Sequence, residues 1–209
     1  MRYITELSIQ TMQTQWYGDK RDVLKWATLI HLCKQRGLGA VLQVLFLTDV
    51  DLNHDLRIDG QPQVLPKSVW NHFRSLDRIK ELGREEKLEI HILDDPFKHD
   101  GREAYIDRVC ERVGQINENP KAVFLDPDTG IAPDKSSERH VTVKEIEKVW
   151  KHLKKGDWLV LYQHASRDKN WRAKQRKKFM TACGGAAVSM YESERIAHDV
   201  VFYCAEQKS

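Results

Sequence analysis

The chain has 209 residues, 41% hydrophobic and 31% charged, which is the composition of a globular protein long enough for one full core. Its net charge of +3 is too small to demonstrate a polyanionic partner, so the placement of the charges is more informative than their sum. No apolar run approaches the roughly 20 residues of a membrane helix, and the first residues lack a secretory hydrophobic core, so we expect a cytoplasmic protein.

The cysteines predict reduced, buried thiols. They are far apart in sequence, none belongs to a CxxC pair, and each lies in an apolar segment, so a zinc site is not expected from them. We assign no residue of the chain to a resident metal. The four cysteines are Cys33, Cys110, Cys183 and Cys204.

The first half of the chain alternates between helical and strand patterns. In the first helix, Val23, Ala27, Ile30 and Cys33 fall on one face, and Gly37 can end the helix in a left-handed turn. A long loop with an acidic tract separates the first strand from the second helix. The predicted segments are a helix over 19–36, a strand over 40–47, a helix over 68–86, a strand over 88–93 and a helix over 101–117.

The second half continues this alternation and then changes it. Thr142 and Glu145 form a capping-box pair at the start of one helix, and Gly184 and Gly185 end the next. Two strands without a helix between them close the chain, which predicts an antiparallel pair. The segments are a strand over 122–125, a helix after 142, a strand over 158–162, a helix over 166–183, and strands over 186–191 and 198–204.

Strands that alternate with helices predict a single α/β domain over residues 1–209. We expect a Rossmann-like, mostly parallel sheet with helices on both faces and a C-terminal antiparallel strand pair.

The stretch from Ala122 to Ile131 is the most informative part of the sequence. Its apolar residues end abruptly in Asp126-Pro127-Asp128-Thr129-Gly130, where proline stops sheet pairing and glycine allows a turn. Carboxylates are therefore expected at the carboxyl end of a buried strand, where open α/β sheets bind ligands. The alternative is an ordinary aspartate-rich turn.

Polar residues also follow the other predicted parallel strands, so four loops should converge on one edge of the sheet. His164 could serve there as a base, a phosphate contact, a metal ligand or a hydrogen-bonded structural residue. The converging residues are Asp49, Asp51, Asp94, Asp95, Asp126, Asp128, Gln163 and His164.

Two segments carry positive charge. Lys20 and Arg21 open the first helix, whose N-terminus favours anions, although a simple capped helix is an alternative. The second segment interleaves basic side chains with Trp171 and Phe179, which suits phosphate neutralisation and base stacking, unless the aromatic rings face the core. Its candidate nucleic-acid contacts are Arg167, Lys169, Trp171, Arg172, Lys174 and Arg176.

The order of these motifs resembles the amino-directed DNA methyltransferases of the DNA-adenine type. Tyr17-Gly18-Asp19-Lys20 occupies the place of a segment that helps to hold S-adenosylmethionine in that family. Asp126-Pro127-Asp128-Thr129 occupies the place of its Asp-Pro-Pro-Tyr tetrapeptide. The chain looks even more like a group of uncharacterised bacterial and phage proteins with an Asp-Pro-Asp-x-Gly turn and a Tyr-Gln-His strand end, here Tyr162-Gln163-His164.

The resemblance implies a methyltransferase-like fold and an enzyme that acts on nucleic acid or a nucleotide. In the methyl-transfer hypothesis, Tyr17, Gly18, Lys20, Asp49 and Asp94 hold S-adenosylmethionine, while Asp126, Asp128 and His164 are catalytic. Two hypotheses remain beside it. Asp126 and Asp128 could bind Mg²⁺ or Mn²⁺ and cleave a phosphodiester, because Thr48-Asp49 replaces the family's glycine-rich loop. Otherwise the chain is a non-catalytic nucleic-acid-binding protein with a degenerate cofactor site.

Overall fold

The structure is a computed structural model that describes residues 20–46, 56–58, 61–63, 77–133 and 137–208. Its centre is a six-stranded sheet with the spatial order β4-β1-β5-β8-β10-β9. The strands β4, β1, β5 and β8 are parallel, whereas β10 is antiparallel to both of its neighbours. The six strands are β1 (Ala40–Leu45), β4 (Glu89–Leu93), β5 (Lys121–Asp126), β8 (Trp158–His164), β9 (Val188–Ser193) and β10 (His198–Glu206).

Two small strand pairs lie outside the main sheet. The first is antiparallel and joins β2 (Leu56–Ile58) to β3 (Gln61–Gln63). The second is parallel and joins β6 (Gly130–Ile131) to β7 (His140–Val141). Because β6 follows β5 after only a few residues, this second pair extends the structure at the carboxyl edge of the main sheet.

Helices cover both faces of the main sheet. The side chains of α1 and α2 pack with Val41 and Phe124 on one face, and those of α3, α4 and α5 pack with Leu42 and Val123 on the other. A 3₁₀ turn over His99–Gly101 precedes α3. The helices are α1 (Lys20–Arg36), α2 (Asp77–Glu86), α3 (Arg102–Gln115), α4 (Val143–Trp150), α5 (Trp171–Ala182) and α6 (Glu194–Ala197).

This architecture confirms the predicted fold class. The sheet is mostly parallel, helices cover both faces, and β9 and β10 form the expected antiparallel pair. The connection through α2 leads from β1 to β4 on one side, and α3 then carries the chain across to β5 on the other side of β1. The fold is therefore a doubly wound, Rossmann-like α/β fold with its topological switch point between β1 and β5.

Local signals explain where two of the helices begin or end. Gly37 has φ +65° just after α1, and Leu38 N–H donates to Cys33 O at 2.9 Å, as expected for a glycine-terminated helix. At α4, Thr142 Oγ1 accepts from Glu145 N–H at 3.2 Å while Glu145 Oε2 accepts from Thr142 N–H at 2.7 Å, which confirms the capping box.

The apolar face predicted for α1 was only partly right, because Cys33 is buried but Val23 and Ala27 are not. Val23 is 55% exposed and Ala27 is exposed, whereas Leu24, Leu29 and Leu32 are buried. The reason is that burying these leucines removes more apolar area from water than burying Val23 and Ala27 of the predicted face would. Helix α1 is thus rotated relative to the prediction, which turns Lys25 towards the sheet.

The cysteine prediction is confirmed, since all four thiols are free and buried. Burial raises the pKa of Cys33 and that of Cys183 to about 12, which makes both poor nucleophiles. None of the helices in the described ranges combines the length and the apolar character needed to cross a membrane.

Candidate functional site

The carboxyl edge of the parallel strands at the switch point is the candidate site, because open α/β sheets bind ligands there. Asp126 ends β5 and is only 3% exposed. Its Oδ2 accepts hydrogen bonds from Lys25 Nζ at 2.8 Å and from Gln43 Nε2 at 2.8 Å. Lys25 also pairs with Asp22 at 2.9 Å, so a buried polar network joins α1 to β1 and β5.

The charges in this network are mutually dependent. Burial opposes the charge of Lys25, but Asp126 and Asp22 outweigh it and raise the pKa of Lys25 above its usual value. Burial raises the pKa of Asp126, and Lys25 counters this only in part. Asp126 was predicted to contact a ligand directly. In the structure its carboxylate instead binds Lys25 of α1 and Gln43 of β1.

The Asp-Pro-Asp turn and the Tyr-Gln-His strand end, which are remote in sequence, are in direct contact. Gln163 Oε1 accepts from Ile131 N–H at 2.8 Å, and Gln163 Nε2 donates to Thr129 O at 3.1 Å. Gly130 makes room for this contact. Its φ is +109°, and a Cβ atom there would lie 2.3 Å from Gln163 Oε1. The turn is therefore fixed to the end of β8.

Asp128 lies in the same turn with 18% of its side chain exposed, and its ion-pair partner differs from Lys25, which pairs with Asp126. Its carboxylate forms an ion pair with Arg139, and Thr129 Oγ1 donates to Arg139 O at 2.8 Å. The two aspartates thus have different cationic partners. Within the described ranges, neither belongs to a group of side chains arranged to hold a metal ion, so the Mg²⁺ or Mn²⁺ alternative receives no support.

His164 belongs to a cluster that only the folded chain reveals. Its Nε2 lies 3.2 Å from Asp199 Oδ2, its Nδ1 lies 3.1 Å from Ala165 O, and one third of its side chain is exposed. Arg21 Nε donates to the same Asp199 oxygen at 3.1 Å. Burial opposes ionisation of Asp199, but Arg21 and His164 outweigh it and hold the pKa of Asp199 below its usual value.

Asp199 was missed at the sequence level. It is the second residue of β10 and reaches the carboxyl edge of the parallel strands only because β10 runs in the opposite direction. The predicted antiparallel pair contained this signal, since the start of a reversed strand lies beside the end of a parallel one.

The other predicted cofactor residues are only partly described. Asp94 is exposed and directly follows β4, the neighbour of β1. Lys20 begins α1, but its side chain lies outside the described part of the structure. Tyr17, Gly18 and Asp49 also lie outside the described residues.

The basic helix differs from its predicted role in one respect. Trp171 is 6% exposed and packs in the core with Phe179, so its ring is not available to stack on a base. The two aromatic side chains form the buried face of α5 together with Ala182.

Several of the basic side chains have partners within the protein. Arg172 Nε donates to Glu192 at 2.9 Å, Lys174 pairs with Asp168 at 2.5 Å, and Arg176 donates to a backbone carbonyl of β9. Arg167 and Lys169 differ. Both are exposed, and neither forms an ion pair with any part of the chain that the structure describes. Among the predicted contact residues, these two are the exposed cations that bind neither a carboxylate nor a backbone carbonyl of the described residues.

A cavity of about 320 Å³ lies at the opposite, amino edge of the sheet, between the ends of α1 and α2. It is lined in part by Cys33, Gly37 and Leu88. Because it lies beyond the amino ends of β1 and β4, it does not belong to the candidate site.

Comparisons with known proteins give no family for the chain. No family model matches it, and no curated protein matches it. A candidate methyltransferase from Thermobifida fusca YX aligns with a TM-score of 0.45 and 10% identity over 91% of this chain and 80% of that one. A DUF574 family protein from Streptomyces avermitilis MA-4680 aligns with a TM-score of 0.41 and 11% identity over 90% of this chain and 82% of that one.

An O-methyltransferase family protein from Burkholderia thailandensis aligns with a TM-score of 0.41 and 10% identity over 91% of this chain and 58% of that one. Similarities at this level identify neither a family nor an activity. The class assignment therefore rests on the strand order and the site itself, which define a doubly wound α/β protein with a polar edge at its switch point.

Proposed function

We propose that the chain is a methyltransferase-like enzyme that uses S-adenosylmethionine and acts on nucleic acid or a nucleotide. The observation that carries this proposal is the strand order β4-β1-β5-β8-β10-β9, in which the reversed strand β10 lies between β8 and β9. This order leaves a switch point beside the carboxyl ends of β1 and β5, the position at which doubly wound sheets bind nucleotides.

The fit of an adenosine-containing cofactor depends on Asp94. Its exposed carboxylate follows the strand beside β1, the position from which an acidic side chain accepts hydrogen bonds from ribose hydroxyls in dinucleotide-binding sheets. S-adenosylmethionine would supply an electrophilic methyl group at this edge. Asp126 does not fit as a direct ligand in its described conformation, because Lys25 and Gln43 bind its Oδ2.

His164 and Asp128 are the substrate-facing side chains in this proposal. His164 is partly exposed, and its ring contacts Asp199, whose carboxylate Arg21 holds at the end of β8, as suits a general acid or base. Asp128 lies in the turn that Gln163 joins to the end of β8 through its hydrogen bond to Thr129 O. Asp126 becomes a positioning residue that joins α1 to the switch point.

Calorimetric titration with S-adenosylmethionine and S-adenosylhomocysteine tests the cofactor. We expect binding by the wild-type chain and about tenfold weaker binding by Asp94→Asn, because a neutral amide accepts less strongly from the ribose hydroxyls. Asp100→Asn is the matched control, since Asp100 is also exposed but lies in the 3₁₀ turn before α3. A folded wild-type protein that binds neither compound contradicts the proposal.

Nucleic-acid binding can be tested separately through Arg167 and Lys169. Fluorescence anisotropy with a single-stranded oligonucleotide should show weaker binding by Arg167→Ala/Lys169→Ala, and a salt slope smaller by about 2, or about 1 for each lost phosphate contact. The control is Lys154→Ala/Lys155→Ala, which removes the same charge from exposed side chains before β8. Equal salt slopes for the two double variants exclude this surface as the nucleic-acid contact.

One observation favours a second candidate, a nucleic-acid-binding protein without turnover. Lys25 and Gln43 already bind the Asp126 carboxylate, as expected if an ancestral substrate contact had become structural. This candidate predicts salt-dependent oligonucleotide binding together with no binding of S-adenosylmethionine.

A further inference from the structure

A group of metal-ligating side chains lies at the amino edge of the sheet, on the side opposite the candidate site. Glu89 begins β4, His91 lies two residues further along the same strand, and Glu118 lies in the connection from α3 to β5. The alternation of β4 places Ile90 and Ile92 against the α1 core, so Glu89 and His91 share the other face.

The donor atoms are close enough to share one small cation. His91 Nε2 lies 3.1 Å from Glu89 Oε1 and 3.9 Å from Glu118 Oε2, and all three donor atoms lie within 4.8 Å of one another. Tetrahedral ligands at metal bond lengths of about 2.1 Å are about 3.4 Å apart. The two distances from His91 bracket this value, so small side-chain movements suffice for joint ligation.

The imidazole nitrogen at the centre of the group has no hydrogen-bond partner among the residues that the structure describes. Within those ranges His91 Nε2 is shielded from solvent and makes no hydrogen bond, although it faces two carboxylates. An Nε2–H group aimed at either carboxylate would donate a hydrogen bond to it, and the described geometry contains no such bond. A bound cation would occupy the nitrogen lone pair and reduce the repulsion between the two carboxylates.

We propose that Glu89, His91 and Glu118 bind a divalent transition-metal cation, with Zn²⁺ as the preferred ion. One imidazole and two carboxylates suit Zn²⁺ better than Mg²⁺, which prefers an all-oxygen octahedron. Glu89 and Glu118 are 51% and 38% exposed at their side chains, so water can complete the coordination. The site is independent of the proposed methyltransferase-like function, because it lies at the other edge of the sheet.

The test is calorimetric titration of the EDTA-treated, dialysed full chain with ZnCl₂, and with MgCl₂ for comparison. We expect one Zn²⁺ site of micromolar or tighter affinity, weaker by about tenfold or more in His91→Ala, and much weaker binding of Mg²⁺. The matched control is His152→Ala, which removes an exposed histidine from the end of α4 and should leave the affinity unchanged.

A second variant keeps the result decisive if His91→Ala folds poorly. Glu118→Gln changes a partly exposed side chain by one atom, and we expect it to weaken Zn²⁺ binding and to abolish most of the Zn²⁺-induced rise in Tm. No Zn²⁺ binding by the wild-type chain overturns the proposal. So does wild-type affinity in either site variant, whereas weakening in the folded site variants with an unchanged His152→Ala supports it.

Discussion

At the scale of single residues, Gly130 is the clearest case of a side chain excluded by its surroundings. Its positive φ is costly for any other residue, and the Gln163 side chain occupies the space that a Cβ atom needs. The contact also links the two motifs of the candidate site. A substitution at this position should therefore affect both stability and the geometry of the site.

We predict that Gly130→Ala lowers the free energy of unfolding by about 2–5 kcal/mol, from backbone strain and displacement of Gln163 together. Urea denaturation measures this loss. Gly37→Ala is the matched control, because Gly37 has φ +65° and no atom of the described residues within 4 Å of the added Cβ, so the variant has only the backbone strain of about 1–2 kcal/mol. Equal losses in the two variants would show that the Gln163 contact is unimportant.

The sequence predicted the residues of the turn better than their environment. Asp126, Pro127 and Gly130 mark the end of β5 as expected, because chain breakers act locally. The ion pair of Asp126 with Lys25 was not predictable, since it depends on the rotation of α1 about its axis. The spacing of apolar residues does not determine that rotation when a helix has two possible apolar faces.

At the scale of elements, the amino ends of β5 and β8 are tied by a fully buried ion pair. Lys121 Nζ lies 3.1 Å from Asp157 Oδ2, and both side chains are 0% exposed. Asp157 also accepts backbone N–H bonds from Lys121 at 3.1 Å and Lys154 at 2.9 Å. One carboxylate thus aligns the two neighbouring strands before their ladder begins.

We predict that Asp157→Asn lowers the free energy of unfolding by about 3–5 kcal/mol, because the buried Lys121 ammonium loses its counter-charge. Chemical denaturation is the measurement. The control Asp107→Asn removes the partner of Lys148 at the surface and should cost less than about 1 kcal/mol. A loss at Asp157 as small as that at Asp107 would refute a structural role for the buried pair.

The existence and order of the six main strands and of the helices α1 to α5 were predictable, whereas the roles of element faces were less so. The short strands β2, β3, β6 and β7 lie in segments that were predicted as loops. Alternating apolar segments and the Thr142–Glu145 capping box are local signals, and the structure bears them out. In α5, the basic residues dominate the sequence pattern, yet Trp171 and Phe179 determine which face is buried. The ring of Trp171 is therefore buried by tertiary packing and does not belong to the predicted nucleic-acid surface.

At the scale of the whole molecule, His140 makes stability depend on pH. Burial, together with the positive charges of Arg139 and Arg102, lowers the pKa of His140 in the folded state. The unfolded chain then binds more protons than the folded chain near the ordinary histidine pKa of about 6.5. The contribution of His140 is therefore fully present above that value and is lost as the pH falls from it through the lower pKa of the folded state.

We predict that the unfolding free energy of the wild-type chain falls as the pH is lowered from about 7.5 to 5, and that it falls less in His140→Gln. Urea titrations at several pH values measure both slopes. His152→Gln is the control, since it removes an exposed histidine from the turn just after α4. Identical slopes for the wild-type chain and His140→Gln would exclude His140 as the source.

The position of β10 between β8 and β9 has a consequence for the biosynthesis of the protein. In the described sheet, β9 is hydrogen-bonded to β10 alone, and β10 also covers the edge of β8. Synthesis must therefore pass Glu206 before β9 gains a partner in the sheet and before β8, already paired with β5, gains its second one. A nascent chain that stalls near residue 197 exposes a long apolar strand edge, which makes it a substrate for chaperones and for strand-to-strand aggregation.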